Sequence, residues 1–543
     1  MKNTMKKLLS FGFVITLFFA LTATAQSPQT PEKSANASAF VAKKSALTDS
    51  QLKRWSHLDL GKDSIPGMSV DRVYAELLKG KKGKKVIVGV VDSGVDIDHE
   101  DLKSVVWTNK KEIAGNGIDD DKNGYIDDIH GWNFLGDAGK ENLEMTRILK
   151  KADDGSAEYK AAKEEYEKLL AENNQGKQQV DFLFNSNKTL SEYLKKESYT
   201  LQDLEGIQST DSGVNRCKQI MMRVIAQAGP NFMDELNGYK DQVYDMLNYN
   251  LNKDFDGRKV VGDNPEDIKD RKYGNNIVYG PDKKEALHGT HVAGIIAQSR
   301  NNNLGGDGIA NNVEIMAVRC VPNGDEYDKD IALGIRYAVD NGAKVINGSF
   351  GKNYSPHKQW VYDAIKYAES KDVLFVHAAG NDAKDIDVEA NFPNDSDDKK
   401  IEFAGNVITV GALNYEYGEK VIADFSNYGK LNVDVYSPGV QIYATTPNNA
   451  YKYEQGTSMA APNVAGVAAL IRSYFPNLSA KEVKNILMNS GTSIPENVVV
   501  GGNTDDKRLF DSLSKSGKIV NAYSAFKLAE KMSANKGAKK TKG

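Results

Sequence analysis

From Lys85 onward, the hydrophobic and polar positions of this chain fall into two kinds of segment. Short apolar runs, typical of strands buried on both faces, occur at residues 86–91, 313–318, 345–347, 373–376 and 407–410. Longer amphipathic stretches lie between several of them, at residues 292–299, 328–340 and 357–369. This alternation is typical of βαβ units. It predicts an α/β fold, a mostly parallel sheet with helices on both faces.

The pattern changes between residues 139 and 250. Apolar residues recur there at helical spacing among lysines and glutamates, as in Tyr159, Tyr166, Leu169 and Leu170. We therefore expect an all-helical insertion of three to five helices, whose ends lie close together so that the sheet is left undisturbed. A lid, a docking module, an inhibitory element and a stabilising decoration are all compatible with this pattern.

The first 25 residues have the pattern of an export signal. Three lysines precede an apolar run, and Ala23, Thr24 and Ala25 supply the small residues of a cleavage site. The run is shorter than the about 20 residues that a membrane span needs, so removal is expected rather than anchoring. The predicted location is periplasmic or extracellular, with no stable membrane insertion.

Composition and charge narrow the choice of partners. Of the 543 residues, 40% are hydrophobic, enough for a sizeable core, and the net charge is −4. Removal of the signal, which holds three lysines and no acid, makes the charge −7, so nucleic acid is not an expected partner. The two cysteines, Cys217 and Cys320, lie in unlike segments, and their pairing stays open.

Three short motifs carry candidate chemistry, each at the end of a predicted element. Asp92 follows a strand, where open α/β sheets place their active sites. His288 opens a helical stretch, and no glutamate lies between it and His291 as in the zinc-peptidase helix motif. Ser458, in the segment GTSMAAP, precedes a helix-like run, where backbone N–H groups favour a developing oxyanion. Each motif alone also has an ordinary structural explanation.

Together, and in the order Asp, His, Ser, the segments DSG, HGTHVAG and GTSMAAP resemble the subtilase family. The resemblance covers roughly residues 58–529, apart from the insertion. It implies a serine endopeptidase that acts on proteins or peptides without a catalytic cofactor. Ser458 would be the nucleophile, His288 the general base and acid, and Asp92 the group that orients the imidazole.

Two further segments extend the resemblance. Residues 377–381 (HAAGN) resemble the family segment whose final asparagine, here Asn381, stabilises the oxyanion with its side-chain amide. Ser349, Phe350 and Gly351 resemble the extended segment that pairs with the substrate backbone and lines the first specificity pocket. Gly348 stands where the family more often has a bulkier residue.

An acidic loop at residues 119–128 (DDDKNGYIDD) carries oxygen donors at every second position, like the start of an EF-hand loop. The candidate ligands for structural calcium are Asp119, Asp121, Asn123, the carbonyl of Tyr125, and Asp127. The twelfth position is His130 rather than a glutamate, which excludes a standard EF-hand. A loop of Asx turns without a metal remains the alternative.

The expected organisation is a signal peptide (1–25), an N-terminal extension or short propeptide (26–64), a subtilase catalytic domain (65–529) with the insertion at about 139–250, and a basic, disordered tail (530–543). The alternative to an active endopeptidase is a catalytically silent subtilase scaffold that acts as a binding protein. The sequence does not determine the oligomeric state.

Overall fold

The computed structural model describes residues 40–229 and 232–540, with side chains up to residue 537. The predicted signal peptide therefore lies outside the described residues. These residues form two compact units: one contains the described part of 145–256, and the other contains residues 40–144 and 257–540.

The larger unit contains a nine-stranded sheet, whose strands lie in the order β10-β13-β7-β6-β5-β4-β1-β3-β2. All neighbouring strands are parallel except the β10–β13 pair. Two antiparallel pairs, β8–β9 and β11–β12, stand apart from this sheet. The strands are Val86–Asp92 (β1), Gly131–Asn133 (β2), Val313–Arg319 (β3), Val345–Gly348 (β4), Leu374–Ala378 (β5), Val407–Leu413 (β6), Val435–Pro438 (β7), Ile442–Thr446 (β8), Ala450–Glu454 (β9), Thr492–Ser493 (β10), Asn497–Val500 (β11), Asn503–Leu509 (β12) and Lys518–Ile519 (β13).

Alternate side chains of the central strands enter two different cores, because successive residues of a strand point to opposite faces. In β1, Val88 and Val90 join one core while Val91 joins the other, and in β5 Val376 and Phe375 divide in the same way. Burial on both faces explains why these strands are continuous apolar runs rather than alternating ones. The predicted parallel α/β sheet is confirmed.

Helices supply the other side of each core. Leu287–Ala297 and Thr457–Tyr474 contribute to the core that contains Val88, and Asp328–Asp340 and Lys358–Ser370 to the core that contains Val91. The α-helices are Asp49–Arg54 (α1), Leu60–Asp63 (α2), Val70–Arg72 (α3), Glu144–Lys150 (α4), Ala157–Leu194 (α5), Leu201–Glu205 (α6), Ser212–Ala228 (α7), Phe232–Asp245 (α8), Leu287–Ala297 (α9), Asp328–Asp340 (α10), Lys358–Ser370 (α11), Thr457–Tyr474 (α12), Ala480–Ser490 (α13) and Ala522–Lys540 (α14). Short 3₁₀ turns cover Trp55–His57, Arg258–Val260, Lys283–Ala286 and Phe510–Ser512, and π turns cover Val73–Leu77 and Met246–Asn250.

Residues 49–78 belong to the larger unit and contribute to its core. Trp55 is 1% exposed, and its indole Nε1 donates to the carbonyl of Val440 at 2.9 Å. Leu60, Ile65 and Met68 are buried in the same core. The part of the predicted extension that the structure describes is thus built into the larger unit.

The smaller unit is helical, with a core of its own that contains Leu183, Leu190, Met221 and Leu236. Its bounds differ from the predicted 139–250. Residues 139–144 belong to the larger unit because they hydrogen-bond to residues 323–325 there, as in the Glu141 N–H to Asn323 carbonyl bond of 3.0 Å.

The two ends of the helical unit lie close together, as expected of an insertion. Lys150 Nζ, at the end of α4, donates to the carbonyl of Phe255 at 2.7 Å. Leu251 is 1% exposed and its carbonyl accepts the Tyr166 hydroxyl at 2.9 Å, which extends the unit past residue 250.

The prediction of a disordered tail is wrong for residues 530–540, which continue helix α14. Phe526 and Ala529 of that helix are fully buried. Beyond them, Ser533 Oγ donates to Asn477 Oδ1 at 2.7 Å and Lys536 Nζ donates to Glu482 at 2.5 Å. These polar contacts, which composition does not reveal, anchor the basic helix.

Cys217 and Cys320 are both free thiols. Within residues 40–229 and 232–540, the structure contains no helix with the length and apolar character needed to cross a bilayer.

Candidate active site

Three adjacent parallel strands have their carboxyl ends at one edge of the sheet, and candidate residues lie at the end of each strand. β1 ends at Asp92, β4 ends just before Ser349, and β5 ends just before Ala379, Gly380 and Asn381. Because β1, β4 and β5 pair in parallel, their carboxyl ends meet at the same place. The sequence positions 92, 349 and 381 are therefore neighbours in the fold.

Asp92 and His288 form a direct pair. His288 Nδ1 donates to Asp92 Oδ1 at 2.6 Å, and since a carboxylate only accepts, Nδ1 carries the proton and Nε2 is left as the acceptor in the neutral ring. Asp92 is 1% exposed, and the His288 side chain is 37% exposed. A Cβ at position 289 would lie 3.1 Å from Asp92 Oδ1 and 2.1 Å from the Gly94 carbonyl, so Gly289 permits this close approach of α9 to β1.

The electrostatic environment of His288 favours its protonated form. Burial opposes the charge, but attraction and hydrogen bonding to Asp92, with a further attraction to Glu454, raise the pKa of His288 above its ordinary 6.5. Glu454 ends β9 and is half-buried, and burial raises its own pKa despite the neighbouring charges of Lys452 and His288. Sequence reasoning missed Glu454 because an isolated glutamate two residues before Gly456 gives no signal.

Ser458 lies in the first turn of α12, a helix that packs against α9. It is half-buried, and its Oγ donates to the carbonyl of Ser349 at 3.3 Å. Pro462 is the sixth residue of α12. Because Pro462 has no N–H, the Ser458 carbonyl is free to accept from Ser349 Oγ at 2.9 Å instead.

Asn381 is exposed beside the start of α12, and its side-chain amide has a fixed orientation. Its Oδ1 accepts the Thr457 N–H at 2.8 Å and the Thr457 hydroxyl at 3.0 Å. A backbone N–H can only donate, so Oδ1 must face it and Nδ2 must face away. This leaves an amide donor next to Ser458.

The segment Ser349, Phe350 and Gly351 follows β4 with the first two side chains buried. His377 Nε2 donates to the Phe350 carbonyl at 2.8 Å, and burial lowers the pKa of His377 to about 4, so the ring is neutral. The Phe375 ring occupies the space where a side chain at position 348 would lie, since it would be 2.7 Å from a Cβ there. The neighbouring strand thus fills the space.

His291, three residues after His288, has a structural environment. It is fully buried, and its Nε2 donates to the carbonyl of Lys452 at 3.1 Å. Burial lowers the pKa of His291 to about 4. This contact holds strand β9, which carries Glu454, against helix α9.

Of the five predicted calcium ligands, Asp119 and Asp121 have carboxylates that lie close together. The oxygens of Asp119, Asp121 and Glu112 lie within 4.8 Å of one another, and Glu112 was missed because it precedes the motif. The Asp127 carboxylate instead accepts three backbone N–H groups of residues 115–117, at 2.9 to 3.3 Å. Asn123 Nδ2 donates to Asp128 at 2.9 Å, and the Tyr125 ring packs on Trp132, Phe134 and Tyr337. Three carboxylates with hard oxygen donors fit a calcium ion.

The model of the subtilase family matches residues 83–509, so the chain belongs to the subtilase family. The predicted resemblance to the subtilase family is confirmed by this match.

Two of these relatives are bacterial. The chain is 44% identical over 192 residues to a thermophilic serine proteinase of Bacillus sp. (strain AK1), a match that covers 35% of this chain and 43% of the relative. It is 37% identical over 218 residues to subtilisin DY of Bacillus licheniformis, covering 39% of this chain and 73% of the relative. The chain thus spans less than half the length of the first of these. Among solved structures, a protease of Pseudoalteromonas arctica PAMC 21717 matches with 32% identity and a TM-score of 0.37, over 45% of this chain and 70% of that chain.

Proposed function

We propose that this protein is a secreted serine endopeptidase that hydrolyses peptide bonds in proteins or peptides through Asp92, His288 and Ser458. The observation that carries the proposal is the 2.6 Å hydrogen bond between His288 Nδ1 and Asp92, at the sheet edge where Ser458 opens a helix beside Asn381. The names of the relatives, a serine proteinase and a subtilisin, support the same reaction class.

The residues have distinct parts in the proposed reaction. The Ser458 hydroxyl leaves the Ser349 carbonyl, gives its proton to His288 Nε2 and attacks the peptide carbonyl. Asp92 holds the imidazole with Nδ1 protonated and stabilises the imidazolium. His288 then protonates the leaving amine, and water hydrolyses the acyl-enzyme by the reverse proton path.

The oxyanion of the tetrahedral intermediate requires donors that are already in place. Asn381 Nδ2 is such a donor, because Thr457 fixes the amide from its oxygen side. The backbone N–H of Ser458 is a second source, since it lies in the first turn of α12, where N–H groups have no i−4 acceptor within the helix. Both sources lie at Ser458 or beside it.

Covalent labelling with a serine-directed phosphonate tests the proposal. The folded protein should be labelled at Ser458 and should then lose hydrolysis of a casein or fluorogenic peptide substrate. Ser458→Ala should abolish both. Ser512→Ala, which removes an exposed serine outside this edge of the sheet, is the matched control and should leave both unchanged.

The same experiment tests the alternative function. A catalytically silent scaffold that acts as a binding protein would fold without being labelled. Labelling that persists undiminished in Ser458→Ala would contradict the assignment of the nucleophile.

Export follows from the sequence pattern of residues 1–25 and is part of the proposal, with a periplasmic or extracellular location. Nucleic acid is not proposed as a partner, because the chain is mildly acidic. Mass spectrometry of the exported protein tests cleavage after Ala25. A retained residue 1–25 segment would contradict the export signal.

We also propose that Glu112, Asp119 and Asp121 bind a calcium ion that stabilises the loop and has no part in catalysis. The support is the approach of three carboxylates to within 4.8 Å. Their mutual repulsion is relieved when a divalent cation binds. Calcium at 100 times its dissociation constant should stabilise the folded state by about 2.7 kcal/mol.

Thermal unfolding with calcium and with a chelator tests this site. The Ser458→Ala background avoids autolysis. Calcium should raise the unfolding midpoint, and Asp119→Asn should remove most of the rise. Asp153→Asn, which changes an exposed aspartate outside the cluster, is the control. An equal calcium response in both variants would contradict this site.

A further inference from the structure

Arg319 is a buried guanidinium behind the Asp92–His288 pair. It ends strand β3, directly opposite Asp92 in the β1–β3 register, and is only 1% exposed. Removing a guanidinium from water is costly unless its donors are paired. The burial of Arg319 lowers its pKa to about 10.

The donors of Arg319 reach three separate segments of the larger unit. Nε donates to the Ser93 carbonyl at 3.1 Å. Nη1 donates to Asn133 Oδ1 at 3.0 Å and the Gly136 carbonyl at 3.2 Å, and Nη2 donates to the Ala138 carbonyl at 2.7 Å. Nη2 also lies 4.0 Å from a carboxylate oxygen of Glu285, three residues before His288. A planar fork with five N–H groups is suited to holding several segments at once.

Ser93 connects this guanidinium to both members of the pair. Its N–H donates to Asp92 Oδ1 at 2.7 Å, the same oxygen that His288 contacts. Its Oγ accepts the Gly289 N–H at 3.2 Å, next to His288 on α9. The carbonyl of Ser93 is held by Arg319. The orientation of Ser93 therefore fixes the positions of the Asp92 carboxylate and of helix α9, which carries the His288 imidazole.

We infer that Arg319 is a positioning residue of the triad, which fixes Ser93 so that Asp92 Oδ1 and His288 Nδ1 stay in hydrogen-bonding register. The inference rests on the proposed function. Arg319 is linked to Asp92 and to helix α9 through Ser93 and is not itself a catalytic group. Displacement of reacting groups by about 1 Å can cost on the order of 100-fold in rate, so a loosened Ser93 should lower kcat.

Arg319→Lys keeps the charge but loses the fork. For the folded variant, we expect kcat to fall roughly 10- to 100-fold with KM changed less than about twofold. The acidic limb of the pH profile of kcat/KM should also move to lower pH, because a displaced Asp92 no longer holds up the pKa of His288. Arg472→Lys is the matched control, since Arg472 is also buried and also donates to a backbone carbonyl, that of Asp372.

A second pair of variants leaves Arg319 itself unchanged. A Cβ at position 280, where φ is +81°, would lie 2.7 Å from both Cζ and Nε of Arg319. Gly280→Ala should therefore push the guanidinium from Ser93 and lower kcat by about 3- to 10-fold. Gly262→Ala has nearly the same φ, +78°, with no atom within 4 Å of the new Cβ, so it carries the backbone strain alone. It should leave kcat within about twofold.

The measurement is steady-state hydrolysis of a fluorogenic peptide, with enzyme concentration fixed by phosphonate titration. A wild-type protein without activity counts against the proposed function and not against Arg319. If the wild type is active, an unchanged kcat in Gly280→Ala or in folded Arg319→Lys overturns the inference. Equal losses in the two controls overturn it as well. If Arg319→Lys does not fold, the Gly280 and Gly262 pair decides.

Discussion

At the scale of single residues, the amide of Asn381 is held from its oxygen side by Thr457. Asn381→Ala removes the Nδ2 donor and should lower kcat by roughly 10²–10³-fold with little change in KM, the loss that removal of an oxyanion donor causes in subtilisin. Steady-state kinetics with active-site titration measures the loss.

Asn174→Ala is the control, because it removes an exposed asparagine of the helical unit, outside the unit that contains Asn381. If Asn381→Ala retained the wild-type kcat, the oxyanion would have other donors.

Glu454 gives a second prediction at this scale. Glu454→Gln removes one of the two negative charges that raise the pKa of His288, so that pKa should fall. Because the general base acts when neutral, the acidic limb of kcat/KM should shift to lower pH, and activity at mildly acidic pH should increase. The pH profile should be recorded at low ionic strength, since His288 is partly exposed and salt screens the interaction.

Glu389→Gln changes the net charge equally at an exposed position and should leave the profile in place. An acidic limb that moves to higher pH in Glu454→Gln, or does not move, would contradict the role of this carboxylate.

Motifs and long-range contacts differ in how far sequence can predict them. Asp92, His288 and Ser458 stand in short motifs, so their residue types could be predicted, although only the fold brings Asp92 and His288 into contact. Glu454 and Arg319 belong to no motif, and their effect on the pair depends on burial and on partners far away in the chain. Glu112 was missed for the same reason, because it precedes the acidic loop.

At the scale of elements, the Phe375 side chain of β5 occupies the space beside Gly348 of β4. Gly348→Ala should destabilise the protein by about 1–3 kcal/mol, because the new methyl group meets the Phe375 ring. Phe375→Leu should also destabilise it, by leaving a cavity. The double variant should be more stable than the sum of the two losses predicts, by at least about 0.5 kcal/mol, because one change makes room for the other.

Denaturant unfolding of the four proteins, all in the Ser458→Ala background, measures this coupling. Strict additivity would mean that the two side chains do not compete for the same space.

Buried elements were predictable because their periodicity reflects packing. The expected strands at 86–91 and 407–410 correspond to β1 and β6, and the expected helix at 328–340 has the bounds of α10. Helix α9 begins at Leu287, one residue before His288, which the sequence places at the start of a helical stretch. The ordered helix α14 was missed because its basic composition resembles that of a solvated tail.

At the scale of the whole molecule, the chain consists of two units with separate cores. Replacing residues 151–254 by a short glycine-serine linker should leave the larger unit folded, since Lys150 and Phe255 are adjacent. None of Asp92, His288, Ser458 and Asn381 comes from the helical unit. The kcat and KM for a small peptide should therefore be unchanged.

Hydrolysis of casein by the same variant discriminates among the four roles that the sequence leaves open for the insertion: lid, docking module, inhibitory element and stabilising decoration. An unchanged rate on casein and on the peptide is expected for a decoration, and a slower rate on casein alone for a docking module. Faster hydrolysis of both substrates would contradict our expectation and indicate an inhibitory element or lid.

Trp55 limits where the N-terminal extension can be cleaved during maturation. Its indole is buried in the core of the larger unit and donates to the Val440 carbonyl. Thr48 caps the helix that precedes Trp55. Loss of such a side chain costs about 3–5 kcal/mol, a large part of the stability of a domain. A cut after Ser64 would thus remove a structural part rather than release a propeptide, and amino-terminal sequencing of the exported, active enzyme should find a start no later than Thr48.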